Sequence, residues 1–213
     1  MRVAAPTLFP EPLPDGIHLL SGLLDARTQA ELIASLARVV AAAPLKPPRV
    51  RGKGLFSATI TNCGKVGWWS DEKGYRYVAT QPGTDRPWPE MPAPFAAAVR
   101  KAAAQTRWPG FTPDACLINF YGPHAKMGLH QDKDEQDFAQ PIITICLGDS
   151  ADFLIGGPKR ADRPRALLVQ SGDVIAMGGP ARMLFHGVRR IHPGTSPITG
   201  VTGRYSLTFR KAL

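Results

Sequence analysis

The chain has little of what a secreted, membrane-spanning or cysteine-stapled protein needs. Its 213 residues include only three cysteines, Cys63, Cys116 and Cys146. They are odd in number and widely spaced, and no Cys-x-x-Cys pair is present, which excludes a disulfide framework, a cysteine zinc site and a dithiol redox pair. Reduced thiols in the cytoplasm are the expectation. No apolar run is long enough to cross a bilayer. The opening Met1–Pro6 breaks at proline before an apolar signal core forms, so no secretory leader is expected. No repeat of solenoid period occurs. Acidic residues are the scarce sign of charge: 17 Asp plus Glu stand against 26 Lys plus Arg, a formal +9. That balance points to an anionic partner, nucleic acid first.

Glycine and proline are plentiful, 21 of each. This disfavours a bundle of long helices and favours short strands between turns. The length suits one domain with its own core, and a monomer is assumed. Residues 1–16 hold four prolines and read as an extended lead-in. A helix is expected over 26–43, capped by Asp25 or by Thr28 in a Thr28-x-x-Glu31 capping box, with Leu32, Ile33, Leu36, Val39 and Val40 on one stripe. A second is expected over 94–107. The stretch 46–91 is basic and aromatic and is broken by prolines. Beyond 113 the pattern becomes strands, at 115–121, 127–132, 141–147, 152–156, 166–170, 173–177, 183–188 and 203–210. The fold class is mostly β with flanking helices, a double-stranded β-helix (jelly roll).

Three clusters carry chemistry. In His130-Gln131-Asp132, strand alternation points the imidazole and the carboxylate the same way. With His186 they make two histidines and one carboxylate, the ligand set of non-haem Fe(II) oxygenases. Zinc in a hydrolase would use the same set, and a surface His–Asp pairing is the plain alternative. The last strand alternates Tyr205, Leu207 and Phe209 against Arg204, Ser206, Thr208 and Arg210. This reads either as an edge strand with arginines in water or as a strand with two guanidiniums turned inward. Buried unpaired, these would be costly. A dicarboxylate such as 2-oxoglutarate would meet both, and its keto acid end chelates iron. Asn119 and Tyr121 share a face with Leu117, ready for a carboxylate or simply ending a strand before Gly122-Pro123.

These segments, taken with Thr61-Asn62-Cys63-Gly64 plus Trp68, Pro113–Asn119, His130–Glu135, His186-Gly187 and Arg204–Arg210, resemble the AlkB family in order from about residue 55 to 210. The resemblance implies oxidative demethylation of alkylated bases such as N1-methyladenine and N3-methylcytosine. The substrate would be single-stranded or flipped-base DNA, with RNA as an extension, and the cofactors Fe(II), 2-oxoglutarate and O₂. It assigns His130, Asp132 and His186 to iron. Arg204 with Tyr121 is assigned to the distal carboxylate of the cosubstrate, and Arg210 with Asn119 to the metal-side one, Ser206 and Thr208 lying between. Ser206 stands where the family usually has asparagine. Trp68, Tyr75 and His130 are implied to line the flipped base, Asp134 to sit beside its exocyclic group and Arg160 near the lesion. Arg51, Lys53, Lys126 and Lys133, with Arg160, are candidates for phosphate contact, each also readable as a solvated surface charge. On this reading 1–45 is an extension with a buttressing helix, 46–91 a nucleotide-recognition lid, 92–112 a second buttress and 113–213 the catalytic core. An oxygenase acting on transfer RNA or protein, and a non-catalytic basic nucleic-acid-binding module, are the other readings.

Overall fold

A computed structural model describes residues 12–50 and 54–213; Arg51 and Lys53 lie outside the described residues. In chain order the elements are β1 (Ile17–Leu20), α1 (Ala26–Ala42), β2 (Arg49–Val50), β3 (Gly54–Leu55), β4 (Thr59–Gly64), β5 (Gly67–Asp71), β6 (Gly74–Val78) and α2 (Ala93–Ala103). Then follow β7 (Ala115–Tyr121), β8 (Met127–His130), β9 (Ile142–Gly148), β10 (Ser150–Ile155), β11 (Arg165–Val169), β12 (Val174–Met177), β13 (His186–His192) and β14 (Arg204–Arg210). Two antiparallel sheets face each other as a jelly roll. The major one runs β1-β12-β9-β14-β7-β4 and the minor one β11-β10-β13-β8. β2–β3 and β5–β6 are separate hairpins.

Alternation along the major sheet divides its side chains between two cores. Ile143, Ile145, Leu147, Leu207 and Phe209 face the helices, where they meet Leu32, Leu36, Phe95 and Val99. Full burial of each such side chain contributes about 1.5–3 kcal/mol. The opposite face, with Tyr121, Cys146, Ile175 and Met177, meets Phe153, Ile155, Val188 and Ile191 of the minor sheet. The functional cavity opens between the sheets, on this second face.

Several expectations change in detail. Asp25 alone caps α1, accepting the Thr28 N–H at 2.8 Å. Glu31 pairs with Arg27 on the surface instead of closing a capping box. α2 stops at Ala103, because Thr106 and the following turn take over its last carbonyls. β1, just after the expected lead-in, is a strand not expected from the sequence and pairs with β12. Most of 46–91 is hairpin and loop, but β4 joins the major sheet beside β7. Strand β13 covers 186–192, not 183–188, because Gly179–Ala181 form a short 3₁₀ turn ahead of it. His186 therefore opens a strand instead of ending one.

Candidate active site

β14 is central, flanked by β7 and β9, so the edge-strand reading of its arginines is overturned. Arg204, Ser206, Thr208 and Arg210 are buried and line a cavity of about 600 Å³. Register places Arg204 opposite Tyr121 and Ser206 opposite Asn119 on β7. Asn119 thus stands between the two arginines along the strand pair. Thr208 meets Thr144 of β9 at 3.3 Å.

His130, at the end of β8, pairs with His186 at the start of β13. Close approach of these strands depends on Gly187: a Cβ there would lie 2.6 Å from the Met127 carbonyl oxygen. Each imidazole is oriented by its own turn. His130 Nδ1 is 2.9 Å from the Gly128 carbonyl and His186 Nδ1 3.1 Å from that of Leu184. A carbonyl only accepts, so both Nδ1 atoms carry the proton and both Nε2 lone pairs are free. They converge on Asp132, at 3.7 Å and 3.5 Å from its two oxygens, and the three donor groups lie within 4.8 Å of one another. Two imidazoles whose Nδ1 atoms are held by carbonyls and whose Nε2 atoms face one carboxylate fit a divalent iron and leave positions open on it.

Protonation states agree with this. Burial, then the neighbouring His186, lower the His130 pKa from 6.5 to about 4, against the pull of Asp132. Burial by itself would raise the Asp132 pKa, but Arg210 and the two histidines override it and hold the carboxyl well below its ordinary value. The His130 shift has a measurable consequence. Between pH 6.5 and about 4 the unfolded chain binds a proton that the folded chain does not, so stability falls as pH falls through that window. A urea midpoint followed against pH in the metal-free protein is expected to drop there, and to drop less in His130→Gln.

Arg210 is not unpaired, as burial without a ligand had suggested. Its Nη2 lies 2.8 Å from Asp132 Oδ1, and Nη1 donates to the Tyr77 hydroxyl at 3.3 Å and faces Glu135 at 3.5 Å. Glu135 also accepts from the Tyr77 hydroxyl and from Arg182 at 2.8 Å. Arg182 donates to the main-chain carbonyls of Asp132 and Gln140. It thereby pins the loop carrying Asp132 to the turn that precedes His186. Arg204 differs. Its Nη1 donates to the Asp149 carbonyl at 3.1 Å, and no carboxylate among the described residues pairs with it; the Nε atoms of both arginines are buried without a partner among those residues. The Asp149 carboxylate in turn accepts the N–H groups of Thr195, Ser196 and Gly203, fixing the approach to β14. Tyr77, Glu135, Arg182 and Asp149 were not singled out from the sequence. Glu135 lay inside a motif that drew attention and Tyr77 inside the aromatic stretch 46–91, but neither was given a role.

The outer wall of the cavity comes from β5–β6. The Asn62 side chain donates to the Trp68 carbonyl and accepts its N–H, each at 3.0 Å, locking the hairpin to β4. This explains why Thr61–Gly64 and Trp68 occur as a set. Trp68 stacks on Tyr75 at 5.5 Å and 19°, and its indole N–H donates to Asp134 at 2.7 Å. Arg160 lies over the Phe185 ring at 5.1 Å, and with Lys133 lines the cavity. Lys126 is exposed and outside the cavity lining. The expected metal and cosubstrate residues, and Trp68, Tyr75, Asp134, Lys133 and Arg160, all meet at this one cavity.

Residues 16–210 match the 2OG-Fe(II) oxygenase superfamily. The alpha-ketoglutarate-dependent dioxygenase AlkB of Escherichia coli strain K12 is 41% identical over 202 residues, 95% of this chain and 93% of that protein. The AlkB homolog of Caulobacter vibrioides strain NA1000 is 43% identical, over 92% of this chain and 88% of that protein. The solved structure of OsALKBH1 superposes with a TM-score of 0.81 at 30% identity, covering 94% of this chain and 100% of that one. With the His130–Asp132–His186 centre and the buried arginines facing it, these likenesses show that the chain belongs to the AlkB family of Fe(II)- and 2-oxoglutarate-dependent dioxygenases.

Proposed function

We propose that this dioxygenase removes N-alkyl groups from nucleic-acid bases, with N1-methyladenine and N3-methylcytosine in DNA as substrates and RNA as a further one, acting as a monomer in the cytoplasm. The observation that carries the reading is the wall formed by Trp68, Tyr75 and Asp134 at the mouth of the metal cavity. An aromatic platform with a carboxylate at its edge suits a flat, cationic ring. Such stacking contributes about 1–3 kcal/mol per base. A base within a duplex has no access to a centre buried between two sheets, so it enters flipped out or from a single strand. The relatives include DNA N(6)-methyladenine demethylase ALKBH1D of Arabidopsis thaliana, 34% identical over 67% of this chain, in keeping with a nucleic-acid substrate. Three buried, unpaired cysteines suit a reducing compartment.

In this reading His130, Asp132 and His186 hold Fe(II), which with 2-oxoglutarate and O₂ supplies hydroxylation of the N-alkyl carbon, leaving formaldehyde, succinate, CO₂ and the plain base. The chain's own residues position the reactants. Arg204, with Tyr121 opposite it, holds the distal carboxylate. Arg210 holds Asp132 and, with Asn119, Ser206 and Thr208, lines the cosubstrate's other end. Segment 46–91 acts as the lid over the base, and Lys126, Lys133 and Arg160 grip phosphates. Arg51 and Lys53 join them as candidates from the sequence.

Mass spectrometry of a single strand carrying N1-methyladenine tests the reading. Loss of one methylene mass should require Fe(II), 2-oxoglutarate and O₂ and be absent in His130→Ala. Succinate formation without any mass change would move the search to other substrates. Charge matching makes a second prediction. Asp134 faces solvent, where one ionic contact is worth about 1 kcal/mol or less. Asp134→Asn should therefore lower kcat/KM for a cationic lesion up to about fivefold, while a neutral N-methyl lesion is much less affected. Equal losses on both would remove Asp134 from base selection.

A further inference from the structure

We propose that a groove on the outer side of the minor sheet, walled by His124, Arg189, Arg190 and Pro193, is a second phosphate-binding site, one that holds nucleic-acid backbone away from the base cavity. The proposal rests on the nucleic-acid reading above and extends it to a surface with no part in the chemistry.

The groove exists because β13 is irregular. Val188 and Ile191 both point into the core between the sheets, while Arg189 and Arg190 are both exposed. A regular strand would turn one of two successive residues inward. Here the register slips: Val188 pairs with Phe153 and Arg190 with Asp152, leaving Arg189 as the extra residue. Such a bulge re-aims side chains, and this one brings two guanidiniums to one face. The connection from β7 to β8, with Pro123, His124 and Ala125, forms the facing wall of a groove of about 310 Å³ that has no carboxylate in its lining. Asp152, on the neighbouring strand, is already engaged by Arg189 at 2.9 Å and by His192 at 2.9 Å. It orients Arg189 and leaves Arg190 without an ion pair among the described residues.

Position links the groove to the active site. β13 starts at the metal-site His186, and β8, the outermost strand beside it, ends at His130. From that pair to Arg189 and Arg190 is three to four residues of strand, about 10–13 Å. Exposed Lys126 lies just before the far end of β8. A strand whose base enters the cavity can follow the free edge of β8, pass Lys126 and reach the paired arginines. Guanidinium forks match phosphate oxygens, singly or bidentately.

Arg190→Glu tests this, since Arg190 is exposed and holds no other residue in place. Binding of a long unmodified single strand would be followed by fluorescence anisotropy across a salt series. The variant should bind more weakly at low salt, and its plot of log K against log salt should be shallower by about 0.7 per lost contact. Turnover of an N-methylated dinucleotide, whose single phosphate lies beside the flipped base and does not span the about 10–13 Å to the groove, should equal that of wild type. An unchanged slope overturns the proposal. So does inorganic phosphate saturating the His124 ring signals in NMR while strand binding is the same in both proteins, which would make this a small-anion site. If wild type fails to demethylate the N1-methyladenine strand itself, the base-repair reading falls, and the slopes still decide the groove.

Discussion

Asp132→Ala is expected to abolish 2-oxoglutarate turnover and, separately, to destabilise the metal-free protein by about 3–5 kcal/mol. His130→Ala should abolish turnover with a much smaller loss of stability. The difference follows from what each ligand touches. His130 meets a main-chain carbonyl and its two fellow ligands. Asp132 belongs to a buried group of two carboxylates and two guanidiniums, Asp132, Glu135, Arg182 and Arg210, whose charges sum to zero. Removing one carboxylate leaves a buried guanidinium uncompensated, and that is more costly than losing a balanced pair. The pH dependence has a fixed sign. Because the folded pKa of Asp132 is depressed, its stabilisation is complete above about pH 4 and is lost as pH falls through the depressed value. The deficit of Asp132→Ala should therefore be full near neutrality and shrink in strong acid. Glu135→Gln, which keeps all three metal ligands, should also lose stability near neutrality by leaving a buried guanidinium uncompensated, while retaining iron binding. Urea unfolding of the apo proteins, read beside iron-dependent succinate formation, separates the two effects.

Much of the centre could be read in advance because it rests on local spacing. Arg204 to Arg210 alternate strictly, so their shared face follows from strand geometry alone; the expected strand over 127–132 instead stops at His130, and Asp132, two residues on, reaches the centre from the loop that follows. What alternation does not report is a strand's neighbours. Whether β14 lies at an edge or between β7 and β9 depends on pairings with residues some 60 and 90 positions earlier in the chain, and the two cases put the arginines in water or in the core. The same limit hid the Asp132–Arg210–Glu135–Arg182 cluster: Arg182 in isolation looks like any surface arginine, and only folding brings it 2.8 Å from Glu135. The bulge in β13 is a third case, since a strand carrying one extra residue looks in sequence like a strand with a broken pattern. The helices were legible because each carries its own stripe of apolar residues, though only the structure shows which of two candidate caps is used.

Arg204→Met should have opposite effects on the empty and the loaded protein. Arg204 is among the largest fully buried side chains. Its guanidinium has the Asp149 carbonyl for company and an Nε with no partner. In contrast to Arg210, it has no ion pair with a carboxylate among the described residues, so in the metal-free, cosubstrate-free protein it is a cost that folding must carry. A methionine of similar length removes that cost and keeps most of the packing. The apo variant should therefore be as stable as wild type or more so. The incoming dicarboxylate is what offsets the charge. Losing a desolvated guanidinium–carboxylate contact should weaken 2-oxoglutarate binding by about 3–5 kcal/mol, roughly 10²-fold to several 10³-fold. Thermal melts without O₂ test both halves. Wild type with iron should gain about 2.7 kcal/mol at a cosubstrate concentration 100 times Kd, and the variant almost nothing at that concentration, while without cosubstrate the variant melts at the same temperature or higher. A variant that is destabilised when empty yet still responds to 2-oxoglutarate would mean that Arg204 is a structural residue and that the distal carboxylate is held elsewhere in the cavity.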